Sequence, residues 1–240
     1  MMKNTREIPW VRIAAEATAV LVSILLAFAI DALWAERLER VAEREELSRL
    51  YDEFASNRDR ILAGSKLHEA AVEASLRLYE IMDAAISSGA ETIAVPDMVI
   101  ADLVNAPTFE AETPVFDGLV RSGRIEIIED RRILTTMAVW ERTLRNTFEH
   151  EVRARQFMET ILLPELADLG EIRHVLLNQN SLTQLVSLDP DGESVLRVDS
   201  SFVNLVAQRY FHTALVVRFM TRTRESADHV LSAISESVGE

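Results

Sequence analysis

Between Ile13 and Trp34 the chain carries 22 mostly apolar residues that pass into a charged, strongly helix-forming stretch with no proline or glycine in between. No other feature so narrows what the chain can fold into. At a helical rise of about 1.5 Å per residue the run reaches about 33 Å, enough to cross the hydrocarbon core of a bilayer. Only Glu16 and Asp31 interrupt it. Each lies within about a turn of an end, where a carboxylate reaches the headgroups, and Trp10 and Trp34 mark the two interfaces that amphipathic rings prefer. The strictly uncharged part, Ala17 to Ile30, is 14 residues long and also suits the apolar region of a signal peptide, with "AFA" at 27–29 as a cleavage site. Against cleavage stands the continuation "DALWAERLERVAEREELSRLYDEF", a helix former without turn residues.

The organisation expected is therefore a short tail over 1–12, a transmembrane helix over 13–34, and a helical domain over 35–240 that begins with a stalk. Within the span, small residues recur every fourth position at Ala15, Ala19, Ser23 and Ala27, and Asp31 continues the row. Small side chains let two helices approach closely in lipid, where no hydrophobic force draws them together, so this row is the candidate contact face for self-association. The alternative is that alanine is common in spans and the spacing is chance. The two intramembrane acids suit interfacial solvation or a neighbouring arginine better than an ion path. Lys3, Arg6 and Arg12 on the tail nearly balance Arg37, Arg40 and Arg44 beyond the span. Since long domains translocate regardless of charge, the expected orientation is a cytoplasmic N-terminus with the main domain periplasmic.

Composition excludes several function classes. The 39 acids against 25 bases leave a net charge of -14, which argues against nucleic acid, because a phosphate backbone needs a basic face to displace counterions. No cysteine is present, so disulfides, thiolate catalysis and cysteine-ligated zinc are out of reach. Among the bases only Lys3 and Lys66 are lysines.

Beyond the span the reading is all-α, an antiparallel helical bundle. Leu38, Val41, Leu47, Leu50, Tyr51, Phe54 and Ile61 keep helical spacing to about Leu62, with Gly64 and Ser65 as a break and the start of a second helix to Gly89. A short helix is expected from Pro96 to Asn105. Another follows Thr113 as cap, with Pro114 at its first position and Gly123 at its left-handed end. Asp130 caps a long helix with the row Ile133, Met137, Trp140, Leu144, Phe148, Val152, Met158 and Leu162, ending at Pro164. Residues 171–187 read as weakly helical, "DPDGES" as a turn and Val195 to Val198 as extended. Asp199 caps a last helix with the row Val203, Val206, Tyr210, Ala214, Val217, Met220, Ala227, Leu231, Ile234 and Val238, whose arginines, Arg209 and Arg218 among them, rule out a second span.

No chemical motif stands out. "EHE" at 149–151 has no second histidine three or four residues away and reads as a solvated helix face; His68, His174, His212 and His229 are scattered singly. In "SLDPDG" a calcium loop would need a glutamate where Val198 stands. "VRSGR" lacks a phosphate loop's glycines and lysine, and Ser200 and Ser201 lack the G-x-S-x-G setting of a nucleophile. No cofactor, metal or catalytic residue is expected.

Two stretches, "ILLAFAIDALWAERLER" at 24–40 and "FDGLVRSGRIEIIEDRRILTTMAVWERTL" at 116–144, resemble a family of uncharacterised bacterial single-span membrane proteins. In that family the span ends in a G-I-L-I-A-L-Q-I-D-N-W type sequence, and a pattern like F-x-x-L-x-x-S-G-x-x-x-x-I-x-D follows downstream. Asp31 and Trp34 answer to the span end, with Trp34 two residues further along; Phe116, Leu119, Ser122, Gly123, Ile128 and Asp130 answer to the second pattern. The resemblance implies an inner-membrane anchor bearing a helical domain and supplies no activity. The functional expectation is a non-enzymatic, membrane-anchored scaffold or interaction module, partnered by the lipid bilayer and by itself or another membrane protein. A sensory or ligand-binding bundle relaying through a partner is the alternative, and a small homo-oligomeric channel the third.

Overall fold

A computed structural model describes residues 10–179, 189 and 191–239. Its described part is largely helical, with two short strands. Helix α1, Trp10–Ser88, is a single element of 79 residues. Strand β1, Thr92–Pro96, leads into α2, Asp97–Val104. Then come α3, Pro114–Ser122, a 3-10 turn over Arg124–Ile127, and α4, Arg131–Phe157. A π turn over Met158–Leu162 joins α4 to α5, Leu163–Leu169, followed by α6, Arg173–Gln179. Strand β2, Glu193–Arg197, precedes the last helix, α7, Ser200–Gly239.

The N-terminal part of α1 is long and apolar enough to cross a membrane, with a window of mean hydropathy 2.1 of which none is buried against protein. The helix enters the protein core only at Glu46 and Leu47. Gly64 does not break it. The hydroxyl of Ser65 donates to Glu69 Oε1 at 2.8 Å instead of capping backbone amides. The helix formers on both sides and the packing of α7 outweigh the roughly 1 kcal/mol that a mid-helix glycine costs.

Three long helices lie side by side, with α7 packed along both α1 and α4. Phe54 meets Trp140, and His68 meets Glu151, so α1 and α4 run in the same direction. Thr143 meets Ser226 and Thr147 meets Thr223, so α7 runs against them. The end nearest the exposed apolar segment of α1 has an apolar core built from Leu47, Leu50, Phe54, Met137, Trp140, Val230 and Ile234, closed by Leu119 of α3. The far end holds a second core in which Leu78, Met82, Ile100, Leu103, Leu162, Leu196 and Val206 pack together.

Local signals explain most of the ends. Asp130 accepts the Arg132 amide at 2.7 Å, and Asp199 accepts that of Ser201 at 2.7 Å; bonds from the Arg132 and Ser201 side chains, and then these amide bonds, hold both carboxyls below their ordinary range. Gly123 closes α3 at φ 73°, a left-handed conformation that a side chain disfavours. Thr113 sits at the start of α3 but makes no side-chain cap. The orphan amides of Val115 and Phe116 are taken instead by the Glu53 carboxylate of α1, at 2.6 and 3.1 Å. Burial pushes the Glu53 carboxyl up against the pull of those two bonds.

The far end differs from expectation in two ways. α4 stops at Phe157, before Pro164, and a π turn carries the chain through the proline into α5, with the Leu163 amide bonded to Met158 O. A proline lacks the amide that would continue the ladder and crowds the carbonyl four residues back, and a widened turn relieves both. Strand β1, which has no counterpart in the sequence reading, is the second difference. It pairs antiparallel with β2 in the register Thr92↔Arg197 to Pro96↔Glu193. The expected turn at "DPDG" is present, with the Gly192 amide donating to Asp189 O at 2.9 Å. Residues 180–188, part of the weakly helical reading, lie outside the described residues.

Candidate functional site

Ala19, Ser23, Ala27 and Asp31 stand exposed at four-residue spacing on α1; the side chain of Ala15 lies outside the described residues. Exposure does not single this row out, because Val20, Ile24 and Phe28 on other faces are exposed too. Ser23 donates to Ala19 O at 2.8 Å, so its hydroxyl is satisfied within the helix and can sit in lipid without an external partner.

The middle level of the three long helices is polar, against expectation. His68 of α1 and Glu151 of α4 are each 1% exposed and face each other, His68 Nε2 lying 3.4 Å from Glu151 Oε1. Neither ring nitrogen of His68 has a hydrogen-bond partner, nor does Glu151 Oε2 or the hydroxyl of Thr213 on α7. Nearer the exposed apolar segment of α1, hydroxyls bridge α4 and α7: Thr143 with Ser226 at 2.9 Å, Thr147 with Thr223 at 2.8 Å. "EHE" is thus not a solvated face throughout. Glu149 is exposed, His150 is half-buried, and Glu151 belongs to the core. Buried polar groups of this kind are costly unless paired, so each one constrains what surrounds it.

What they constrain is the connection 105–113, which runs between α2 and α3 as a strap. Each long helix supplies one buried side chain to hold it. Asn57 of α1 bonds both backbone atoms of Glu112, donating to its carbonyl at 2.7 Å and accepting its amide at 2.9 Å. Glu151 of α4 accepts the Phe109 amide at 2.9 Å. Arg209 of α7, 0% exposed, donates to Leu103 O at 3.0 Å, Asn105 O at 2.6 Å and Ala154 O at 3.4 Å. Burial pushes its guanidinium down to about 10, still charged at neutral pH, and the carbonyl dipoles around it stand in for water. Between the strap and α4 lies a groove of about 520 Å³ lined by Phe109, Ala111, Leu144 and Phe148, with Glu141 and Arg145 at its rim.

A second polar knot lies at the far end. Asp97, at the start of α2 and buried, accepts the Ser194 hydroxyl at 2.6 Å and faces His174 Nε2 at 2.9 Å. Its own amide donates to Gly192 O at 2.9 Å, and a side chain on Gly192 would stand 2.5 Å from Asp97 Oδ2, which accounts for glycine there. Serine, aspartate and histidine are together, but the carboxylate stands between the other two. The imidazole cannot take the serine proton, so the knot clasps α2, α6 and β2 rather than activating a nucleophile.

Sequence reasoning missed Glu53, Asn57 and Glu151, which interrupt no apolar run, and also Asp97, which does, between Pro96 and Met98. Arg209 did carry a signal, a charge amid the most apolar part of the last helix. Among the described residues no three His, Asp or Glu are grouped to hold a metal ion. Comparison with family models, with curated proteins and with solved structures finds no match to the chain.

Proposed function

We propose that the chain is a non-enzymatic, single-pass protein of the bacterial inner membrane, of the single-span kind it resembles, with residues 13–34 in the bilayer. Its helical bundle presents a surface to a second copy or to another membrane protein. The observation that carries this reading is the continuity of α1, which joins a wholly exposed apolar segment to the buried residues Leu47, Leu50 and Phe54 in one unbroken helix. A continuous helix resists bending at the membrane surface, so any contact made by the span fixes the bundle it carries. In this reading the N-terminus is cytoplasmic, the bundle is periplasmic, and Ala15, Ala19, Ser23, Ala27 and Asp31 form the contact face.

Native mass spectrometry of the full-length protein in mild detergent tests it. A discrete homo-oligomer, or a complex with one other membrane protein, is expected; a monomer under all conditions overturns it. Cysteine crosslinking locates the face, with more dimer expected from a cysteine at Ser23 than from one at Phe28.

A second reading, a ligand-binding bundle that relays through a partner, is favoured by the groove beneath the strap, whose volume falls in the range of small-molecule sites. A monomer that retains a small molecule in the same measurement would select it.

A further inference from the structure

Glu46, Arg49 and Glu53 follow one another on α1 at spacings of three and four, on the side that meets α3. Glu53 caps α3, and the other two line a cleft of about 380 Å³ between the helices. Pro114, Val115 and Leu119 of α3 give that cleft an apolar wall. Opposite them Glu46 is buried, and two guanidinium groups meet the same carboxylate oxygen. Arg124 Nη2 lies 2.9 Å from Glu46 Oε1, and Arg49 Nη1 lies 3.6 Å from it. Two cations thus converge on one anion, and among the described residues neither meets a second carboxylate within 4 Å. One positive charge is left over. Donors are left over too, since a guanidinium carries five and each turns one nitrogen toward Glu46. The Ser122 hydroxyl, also in the lining, already donates to Gly118 O at 2.7 Å.

Gly118 is a second, independent sign. It stands inside α3 and lines the cleft, yet a β-carbon there would meet nothing within 4 Å, and its backbone is not left-handed. Neither packing nor conformation calls for glycine, which weakens a helix at such a position. What the bare backbone does is keep the cleft open.

We propose that this cleft binds a soluble monocarboxylate with a compact apolar body. The carboxylate lies against Arg49 and Arg124, whose planar forks match its two oxygens, and the body lies against Pro114, Val115 and Leu119. The volume falls in the range of small-molecule sites. One negative charge balances the surplus. A dianion would leave the cleft negative beside Asp52, Glu53 and Glu112, which line the adjoining hollow with Arg49. Glu46 holds both arginines before the ligand arrives, so less freedom is lost on binding. Lipid headgroups are another source of carboxylates. Glu46 is 12 residues along α1 from Trp34, about 18 Å of helix, whereas headgroups add only about 5–8 Å to each side of the hydrocarbon core. Only that exclusion rests on the membrane reading; the site itself does not.

The experiment is isothermal titration calorimetry of the full-length protein in detergent micelles with benzoate, after subtraction of the heat from protein-free micelles. Benzyl alcohol keeps the ring without the charge, acetate keeps the charge without the ring, and phosphate carries a second charge. Benzoate is expected to bind one to one, at least about tenfold more tightly than any of the three. Arg49→Gln and Arg124→Gln should each weaken it by about tenfold or more, the loss of one charge-assisted hydrogen bond. Gly118→Leu should fill the cleft and abolish binding while the melting temperature stays the same or rises, which separates loss of the site from loss of the fold. The proposal is overturned if benzoate binds no better than benzyl alcohol or acetate, or if Gly118→Leu binds it as the parent does. Phosphatidylserine added to the micelles is the last arm: displacement of benzoate by it overturns the assignment to a soluble ligand.

Discussion

The end of the three-helix assembly nearest the exposed apolar segment and its middle use the same three helices yet are built on opposite chemistry. At the first of these the apolar core is Leu47, Leu50, Phe54, Met137, Trp140, Val230 and Ile234. About two to six turns further along the helices the buried side chains are His68, Thr147, Glu151, Arg209 and Thr213, with Ile61, Ala154, Val216 and Met220 among them. Helical geometry is unchanged between the two. The demand on the buried side chains differs. The first level only has to exclude water, whereas the second also has to satisfy the backbone of an irregular strap, and only side chains with donors and acceptors can do that.

Truncation at the first level should have the largest effect. Trp140→Ala removes the ring that meets Phe54 edge-on at 4.7 Å, and should cost about 3–5 kcal/mol in urea unfolding followed by circular dichroism. Thr147→Val keeps the shape of its side chain but loses the bond to Thr223, and should cost no more than about 1.5 kcal/mol, since Thr223 still donates to Phe219 O. Equal losses would erase the contrast between the two levels.

The same contrast explains which parts of the fold were legible in the sequence. The apolar row Ile133, Met137, Trp140 lies on the buried face of α4, as its spacing predicts. Continued to Phe148, the row leaves that face: Phe148 is exposed, while Thr147 and Glu151 are buried. On α7 the row Tyr210, Ala214, Val217 lies one residue off the true face, which runs through Arg209, Thr213 and Val216. Hydrophobic periodicity cannot follow a face that turns polar. The caps Asp130 and Asp199 and the left-handed Gly123 were legible because their signals are local. Strand β1 and the trans cap from Glu53 were not, since their partners lie some 100 and 60 residues away in the chain. Of the candidate span face, the described residues establish spacing and exposure, and both were already legible from the apolar run itself.

A smaller effect should come from the buried pair. Glu151→Leu leaves the Phe109 amide without its acceptor and should cost about 1–3 kcal/mol. Combined with His68→Leu in a double-mutant cycle, the two should show a coupling of about 0.5–3 kcal/mol. Strict additivity would mean that His68 and Glu151 do not sense one another, and that the strap is held independently of α1 at this level.

Acid should probe the outside of the same level more gently. With folded-state pKa values of His150 and His212 held below the unfolded one, the unfolded chain binds more protons as pH falls through about 6.5, so stability decreases there. The melting temperature should therefore drop further between pH 7.5 and 5.5 in the parent protein than in His150→Gln/His212→Gln. Identical drops would show that these rings do not titrate against their surroundings.

The smallest expected change lies where the two levels meet. Gly64 sits in mid-helix between Ile61 and His68, and the sequence invites the view that the chain must bend there. A β-carbon at Gly64 would meet only the Met220 methyl, at 3.5 Å, an ordinary contact, and the helix runs on through it. Nothing in the backbone then requires glycine, and alanine should restrict the unfolded chain and favour the helix. Gly64→Ala should stabilise the protein by about 0.5–1 kcal/mol, read as a higher urea midpoint with an unchanged slope. A loss would mean that α7 needs the bare backbone to approach at this point. The boundary between the apolar and polar levels would then be fixed by close contact between α1 and α7, as well as by the chemistry of the buried side chains.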